Sequence, residues 1–425
     1  MIFRPFKQQK QFLLDKHRVR GAFAGKRSGK SEVGAVESVI HTEQKHGFVD
    51  NGIDPYIGII VAPTHAMLKR LSMMKFLAYA QPFKPRPVGA DVYWHNGAIV
   101  YGISADKPSR MEGIKANWVW LDEAFQMKEQ IFTEAKARVS DTRGKIWVTG
   151  SLGVQYNNPK AHWIYKHFKQ KPDDNTACFE WTTADNPYFP KEEIETLKDS
   201  LDPVTFRQMF ELSWDVQGTN LVYEDLTEAN LITNYKYDPK LPTYVSIDWG
   251  YSHPAAVLYF QYNQATDTVY LFDEIHASKM TLEVMWQKML AKPYRIMEYY
   301  CDIAGLQTRE QSALSNIAWF KQAPRNVHFK YRTSAIAHGI SLVRSYIHNM
   351  RGQRRLYIDQ VSCSKTVDEF RNYSYKERNG EVTETPNADG EDALAALRYF
   401  FINKLDYTRT KDSFEELSRW QLQGR

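Results

Sequence analysis

At 425 residues the chain is too long for one ordinary hydrophobic core, and its 43% hydrophobic and 14% aromatic content can fill two, which excludes a disordered polyampholyte. A formal charge of +5 is a weak excess that permits a local basic groove for nucleic acid without arguing for one. Three widely spaced cysteines without a CxxC pair exclude a zinc ribbon and a disulfide framework; with the polar start MIFRPFKQQK and no long apolar run, they predict an intracellular chain, neither secreted nor membrane-spanning.

From Arg20 to about Ser151, short apolar runs alternate with helix-like stretches: VRGAFAG, SEVGAVESVIHT, YIGIIVAP, IVYGISA, WVWLDEA and KIWVTGS. Apolar strands without alternating polarity predict a mainly parallel sheet covered on both faces. Two helices, EEIETLKDSL and VTFRQMFELSW, then lead to a less regular stretch at 217–242, read as a linker. Beyond it TYVSIDWG, AAVLYFQY and TVYLFDEI are three strands in close succession, the last two joined by a hairpin-length NQATD. Helices and strands alternate from there to the helix EDALAALRYFFINKL. The predicted organisation is an α/β chain with a nucleotide-binding domain at 1–216 and a mixed α/β domain with a tail at 243–425.

GAFAGKRSGKSEVG, residues 21–34, runs from a strand into a helix. The backbone N–H groups of such a loop form an anion cradle, here spanning Gly25, Lys26, Arg27, Ser28 and Gly29. Lys30 is positioned to reach the β- and γ-phosphates of ATP and Ser31 to hold Mg²⁺. The usual spacing asks for glycine at position 24, where this chain has Ala24. NWVWLDEAF then ends a buried strand in two carboxylates, Asp122 to organise Mg²⁺ and Glu123 to polarise the attacking water. VTGS, with Thr149, Gly150 and Ser151, ends the next strand in small polar residues suited to sensing the γ-phosphate, and a plain turn is the competing reading.

The second half poses a different question. A buried strand should not end in an unpartnered charge, yet VSIDWG ends in Asp248 and MEYYCDIAG ends in Asp302. NADGEDALAALRY opens a helix with Asp389 and Asp392 three residues apart, on one face. For that last pair an N-cap and a first-turn dipole complement are the alternative. An acidic cluster with no basic partner calls for a pair of divalent ions, Mg²⁺ or Mn²⁺, clamping a phosphodiester, which is the arrangement of RNase H-like nucleases. Glu274, in YLFDEIH, is a weaker candidate for the same cluster.

A phosphate-loop ATPase followed in one chain by an RNase H-like nuclease resembles the large terminase subunit of tailed bacteriophages. FKQQKQF resembles that family's adenine-contacting element, with Gln9 as the contact. GKRSGKS resembles its phosphate loop with an internal basic residue, for which Lys26 and Arg27 compete and Arg27 is favoured. VAPTHAML resembles the segment after the second ATPase strand, and SRMEGIKANWVWLDEAF combines an Arg, a Gly and the carboxylate strand at family spacing. The resemblance makes Arg110 a candidate finger toward a neighbouring subunit's nucleotide, a surface arginine being the alternative. It makes VTGS a coupling motif and places Asp248, Asp302 and Asp392 on the nuclease carboxylates. Asp389 falls where many members carry His or Asp, as metal ligand or as cap.

What the resemblance implies is a motor that hydrolyses ATP to move double-stranded DNA into a procapsid and cuts the concatemer by two-metal hydrolysis. Its implied partners are the portal protein, the small terminase subunit and further copies in a ring; its implied place is the host cytoplasm, docked transiently on the procapsid. Basic clusters at Lys330, Tyr331, Arg332 and at Arg351, Arg354, Arg355 are candidate DNA-backbone contacts. A helicase- or repair-type ATPase fused to a resolvase-like nuclease shares most motifs but needs DNA-unwinding elements, and no long insertion offers them. A scaffold with a relic ATP site sits badly with intact Lys30, Ser31, Asp122 and Glu123.

Overall fold

A computed structural model describes residues 2–43, 54–153, 159–215, 220–250, 254–306, 314–378, 381–388 and 390–406. The chain divides into two compact units, one made of Met1–Glu195 with Phe206–Val216, the other of Thr196–Thr205 with Gln217–Arg425. Asp389 and the tail TKDSFEELSRWQLQGR lie outside the described residues.

The first unit is built on an eight-stranded sheet. Its strands follow the spatial order Arg86–Val88, Asp91–Tyr93, Ile99–Ser104, Ile57–Ala62, Trp118–Leu121, Lys145–Gly150, Val19–Ala24 and Thr176–Trp181. The six from Ile99–Ser104 onward run parallel, and an antiparallel hairpin closes one edge. Because side chains alternate across a strand, each apolar run feeds two cores. Phe23, Val61, Val119, Leu121 and Val148 fill one face, while Ala24, Ile60, Trp118, Trp120 and Trp147 fill the other. The strand ending in Asp122 is therefore not beside the phosphate-loop strand; Lys145–Gly150 runs between them.

That inserted strand brings Thr149 between the two motifs. Helix Lys30–Glu43 lies against the Trp face, and Gly34 is what permits the approach: a Cβ there would sit 2.6 Å from the Trp120 ring. The first turn of the helix, with Lys30 and Ser31, is thereby held over the carboxylate strand.

The second unit carries a seven-stranded sheet in the order Phe329–Lys330, Ile296–Cys301, Thr243–Asp248, Ala255–Asn263, Thr268–Ala277, Leu356–Asp359 and Leu231–Ile232. The three strands from Thr243 to Ala277 are antiparallel, and Ile296–Cys301 joins Thr243–Asp248 in parallel. This mixed order, with α/β crossovers after the antiparallel meander, is the RNase H-like pattern the sequence predicts. Tyr244, Leu258, Phe260 and Tyr300 face one core, into which helix Asp392–Phe400 packs; the Phe400 and Phe260 rings stack with centroids 4.2 Å apart. Val245, Ile247, Val257 and Cys301 face the other.

Candidate active sites

In the first unit, Ala24 ends its strand paired to Trp181, and its carbonyl accepts from Ser151 Oγ at 2.7 Å. An extended residue in a paired strand needs no glycine, so the substitution at this position is accommodated. The chain turns at Gly25 instead, where a Cβ would meet the Phe210 carbonyl oxygen at 2.3 Å. The loop amides of Gly25 and Lys26 are tied to the Trp181 and Met209 carbonyls, and Trp181 Nε1 and Asn186 Nδ2 donate to the carbonyls of Ser28 and Arg27. The cradle is thus fixed from outside before any ligand arrives.

Asp122, 1% exposed, is the hub. Its Oδ1 accepts from Ser31 Oγ at 2.9 Å and Thr149 Oγ1 at 2.7 Å, and its Oδ2 from Ser72 Oγ at 2.7 Å. Burial, then the Glu123 charge, push its carboxyl above the ordinary range, against the pull of the Ser72 and Thr149 hydroxyls and of Lys30. Glu123 has left-handed backbone (φ 55°), a strained conformation for a glutamate, which swings its carboxylate to 3.1 Å from Lys30 Nζ. Lys26, Arg27, Gly29, Lys30, Ser31, Asp122, Glu123 and Ser151 all line one cavity of about 310 Å³. Leu71 and Lys75, from the segment after VAPTHAML, line it too.

Gln9, 3% exposed, reaches this loop: its Nε2 donates to the Gly29 carbonyl at 2.9 Å. Thr149 is bridged to Trp120 Nε1 at 2.9 Å, and Gly150 packs on Phe125. Arg110 sits exposed in the turn Pro108–Met111 and is not one of the residues that line the cavity.

In the second unit the parallel ladder ends at the pair of Ile247 with Cys301, so Asp248 and Asp302 leave adjacent strand ends. Asp392 begins the helix packed on the same face. Burial, then Asp302 and Asp392, push the Asp248 carboxyl up to about 8, opposed by a hydrogen bond from Tyr399 and by the Arg398 charge. Arg398 is itself paired with Glu391, 2.7 Å away. Asp302 Oδ1 accepts from the Gly305 amide at 3.3 Å. Three carboxylates that converge on one buried position and feel one another's charge are a donor set that fits divalent cations.

Several residues at these sites carry no legible signal in the sequence. Ser72 sits in the π-helical turn Leu68–Ser72 and reaches Asp122, fifty positions away in sequence. Glu274 is not a cluster member: its carboxylate accepts from the amides of Lys365 and Thr366, capping helix Ser364–Asn372. Glu369, on that helix, in turn accepts from the amides of Ala393 and Leu394 at the start of the helix carrying Asp392. Strand alternation offers one clue, since His276 stands two residues beyond Glu274 on the same face. The basic clusters are tied within the chain: Lys330 to Glu298, Arg332 to Asp406, Arg351 to Asp199, Arg354 to Asn230 and Arg355 to Asp267.

A phosphate-loop ATPase fold followed along the chain by an RNase H-like fold defines the class: a two-module α/β protein with an acidic centre in each module. The family model for the N-terminal part of the T4-like terminase large subunit matches residues 22–221. The terminase large subunit of Escherichia phage T5 is 22% identical over 275 residues, 61% of this chain and 56% of that protein, so the chain spans little more than half of that relative. The large terminase of a thermophilic bacteriophage superposes with a TM-score of 0.64 at 17% identity, over 95% of this chain and 100% of that one. The same thermophilic phage protein in complex with ATP-γ-S gives 0.62 at 18%, over 94% and 100%. This chain is thus similar to large terminase subunits, in sequence over its N-terminal half and in fold along nearly its whole length.

Proposed function

We propose that the chain is the motor subunit of a viral DNA-packaging machine, hydrolysing ATP in the first unit to translocate double-stranded DNA and cutting that DNA in the second. The observation that carries this is the pairing of two separate centres in one chain: Ser31, Asp122, Lys30 and Glu123 around one cavity, and a buried Asp248 facing the charges of Asp302 and Asp392 in the other unit. The large terminase of the thermophilic phage, of the same fold, has been solved with ADP and with ATP-γ-S, which supports a nucleotide in the first cavity.

Lys30 binds the β- and γ-phosphates, and the loop amides other than those of Gly25, Lys26 and Ser28, which already donate within the chain, hold them from below. Ser31 and Asp122 are the residues that would hold Mg²⁺, which supplies charge neutralisation on the phosphates. Glu123 orients the attacking water once the phosphates draw Lys30 away from it. Thr149, bonded to Asp122, and Ser151, bonded to the Ala24 carbonyl, link the state of the cavity to two sheet strands. Gln9 is placed to read the base end through its hold on Gly29. Arg110, outside the cavity of its own chain, is available to a neighbour's nucleotide in a ring.

In the second unit Asp248, Asp302 and Asp392 would hold two divalent ions, which activate water and stabilise the leaving oxygen of a phosphodiester. Asp389, three residues before Asp392, remains a proposed ligand. The proposal extends to a portal, a small subunit and a host-cytoplasmic setting as partners and place of work. Its test is a double dissociation in purified full-length protein. Lys30→Ala should abolish ATP turnover and leave Mn²⁺-dependent plasmid cutting largely intact, and Asp248→Ala the reverse. Loss of both activities in either variant, with folding intact, overturns the division of labour.

A further inference from the structure

The sheet register sets a histidine beside the carboxylate centre. Asp248 pairs with Ala256, and Ala256 pairs with His276 on the next strand. Cross-strand partners share a face, so Asp248 and His276 stand on one face with only a methyl group between them. Asp392 enters over that face from its helix, and one ligand atom each of His276, Glu369 and Asp392 lie within 4.8 Å of one another.

Each donor is aimed before any ligand binds. Glu369 Oε2 is fixed by the amides of Ala393 and Leu394, 2.9 and 3.1 Å away, which locks the glutamate to the helix of Asp392. Glu369 Oε1 lies 3.1 Å from His276 Nε2, an ion pair that turns the ring nitrogen into the cluster. An imidazole and two carboxylates gathered within ligand distance of one another are a donor set that a divalent ion fits, the ion replacing the proton the ring shares with Glu369.

We propose that His276, Glu369 and Asp392 form a divalent-cation site with a nitrogen donor, continuous with the Asp248–Asp302 centre through the shared carboxylate of Asp392. This rests on the reading of Asp248 and Asp302 as a cation centre and adds to it a ligand of different chemistry. An imidazole with two carboxylates favours Mn²⁺, Co²⁺ or Zn²⁺ over Mg²⁺, whose preference is for oxygen alone. Asp392 then holds two ions near each other, and the backbone bonds of Glu369 keep the second site formed in the empty protein.

The test is Mn²⁺ binding to the full-length protein, read by pulsed electron paramagnetic resonance and by titration. Wild type should bind three ions, two at the carboxylate centre and one at the site of His276, and show the nitrogen hyperfine coupling of a coordinated imidazole. His276→Gln should lose that coupling and one ion, whereas Asp248→Asn should keep the coupling. Glu369→Gln, which retains an oxygen to cap the Asp392 helix, should weaken the nitrogen-coupled site about tenfold or more. Mn²⁺ bound without nitrogen coupling in wild type, or coupling that survives His276→Gln, overturns the inference and leaves an oxygen-only centre standing. Folded wild type that binds no Mn²⁺ overturns the inference and the carboxylate centre together.

Discussion

Ser72 Oγ donates to Asp122 Oδ2 at 2.7 Å, completing a ring of three hydroxyls around one buried carboxylate. Ser31 and Thr149 share the opposite oxygen, so Ser72 is the side-chain partner of Oδ2 among the described residues. Its removal leaves a charged acceptor short of one hydrogen bond, a cost of about 1–3 kcal/mol. If about 1.4 kcal/mol of that falls on the geometry presented to nucleotide, turnover drops about tenfold. Ser72→Ala is therefore expected to lower kcat for ATP about tenfold with a small fall in Tm, measured by phosphate release and thermal melting. Wild-type turnover in this variant would show that Ser31 and Thr149 suffice.

The Lys30–Glu123 ion pair, 3.1 Å long, is a clasp within the cavity. A polyphosphate competes with Glu123 for the same ammonium, so the carboxylate opposes ground-state binding while serving the chemical step. Glu123→Gln removes the competitor and the water-orienting charge together. We expect tighter binding of ATP-γ-S and turnover reduced by about 10²–10⁴, the usual range for losing a general base. Calorimetry and single-turnover hydrolysis separate the two effects. Weaker binding in the variant would mean that Glu123 is no rival of the phosphates.

How much of this is legible in the sequence follows from the range of each contact. The phosphate loop and the strand ending in Asp122-Glu123 announce themselves because each motif is contiguous and its strand is apolar throughout. Asp248 and Asp302 are legible for the same reason, as charges that end buried strands. Ser72 is not, since a serine in a helix-like run has no distinguishing neighbours, and its contact with Asp122 is made across fifty positions of sequence. His276 and Glu369 are invisible because their meeting depends on two strand registers and a helix cap, none of which is written in local periodicity. Arg354 and Arg355 show the converse. Their clustering looks like a basic surface, but tertiary contacts tie both to Asn230 and Asp267.

Arg20, fully buried, forms an ion pair with Glu37 and donates through Nη1 to the Phe12 carbonyl at 2.9 Å, at the end of the helix carrying Gln9. Burial pushes the Glu37 carboxyl up, but His41 and Arg20 together bring it below the ordinary range. Removing one partner of such a buried pair costs about 3–5 kcal/mol, because the other charge is stranded; replacing both by apolar groups costs far less. Arg20→Met should lower stability by about that amount in urea unfolding and raise KM for ATP as the Gln9 helix loosens. Arg20→Met with Glu37→Met should recover most of the stability but not the KM. A double variant no more stable than the single one would place the cost elsewhere.

His162 gives the first unit an acid limit. Its Nε2 lies 3.1 Å from the Phe125 carbonyl and its Nδ1 lies 3.2 Å from the Ile164 amide nitrogen. Those partners fix the tautomer: Nε2 carries the proton and donates, Nδ1 accepts, and a second proton on Nδ1 would face the Ile164 N–H. Burial lowers its pKa to about 4, outweighing the Phe125 carbonyl and Glu129, which raise it. The folded value is below the unfolded one, so the unfolded chain binds more protons between about pH 4 and 6.5. Stability from this residue is fully present above about pH 6.5 and is lost as pH falls through that window; by pH 5 the loss is about 2 kcal/mol. Urea unfolding of wild type at about pH 5 and pH 7.5 should show that loss on top of what other groups contribute. His162→Gln, which cannot titrate, should be less stable at the higher pH and show a difference between the two smaller by about 2 kcal/mol. An equal difference in both proteins would mean that His162 accepts its second proton in the folded state without cost.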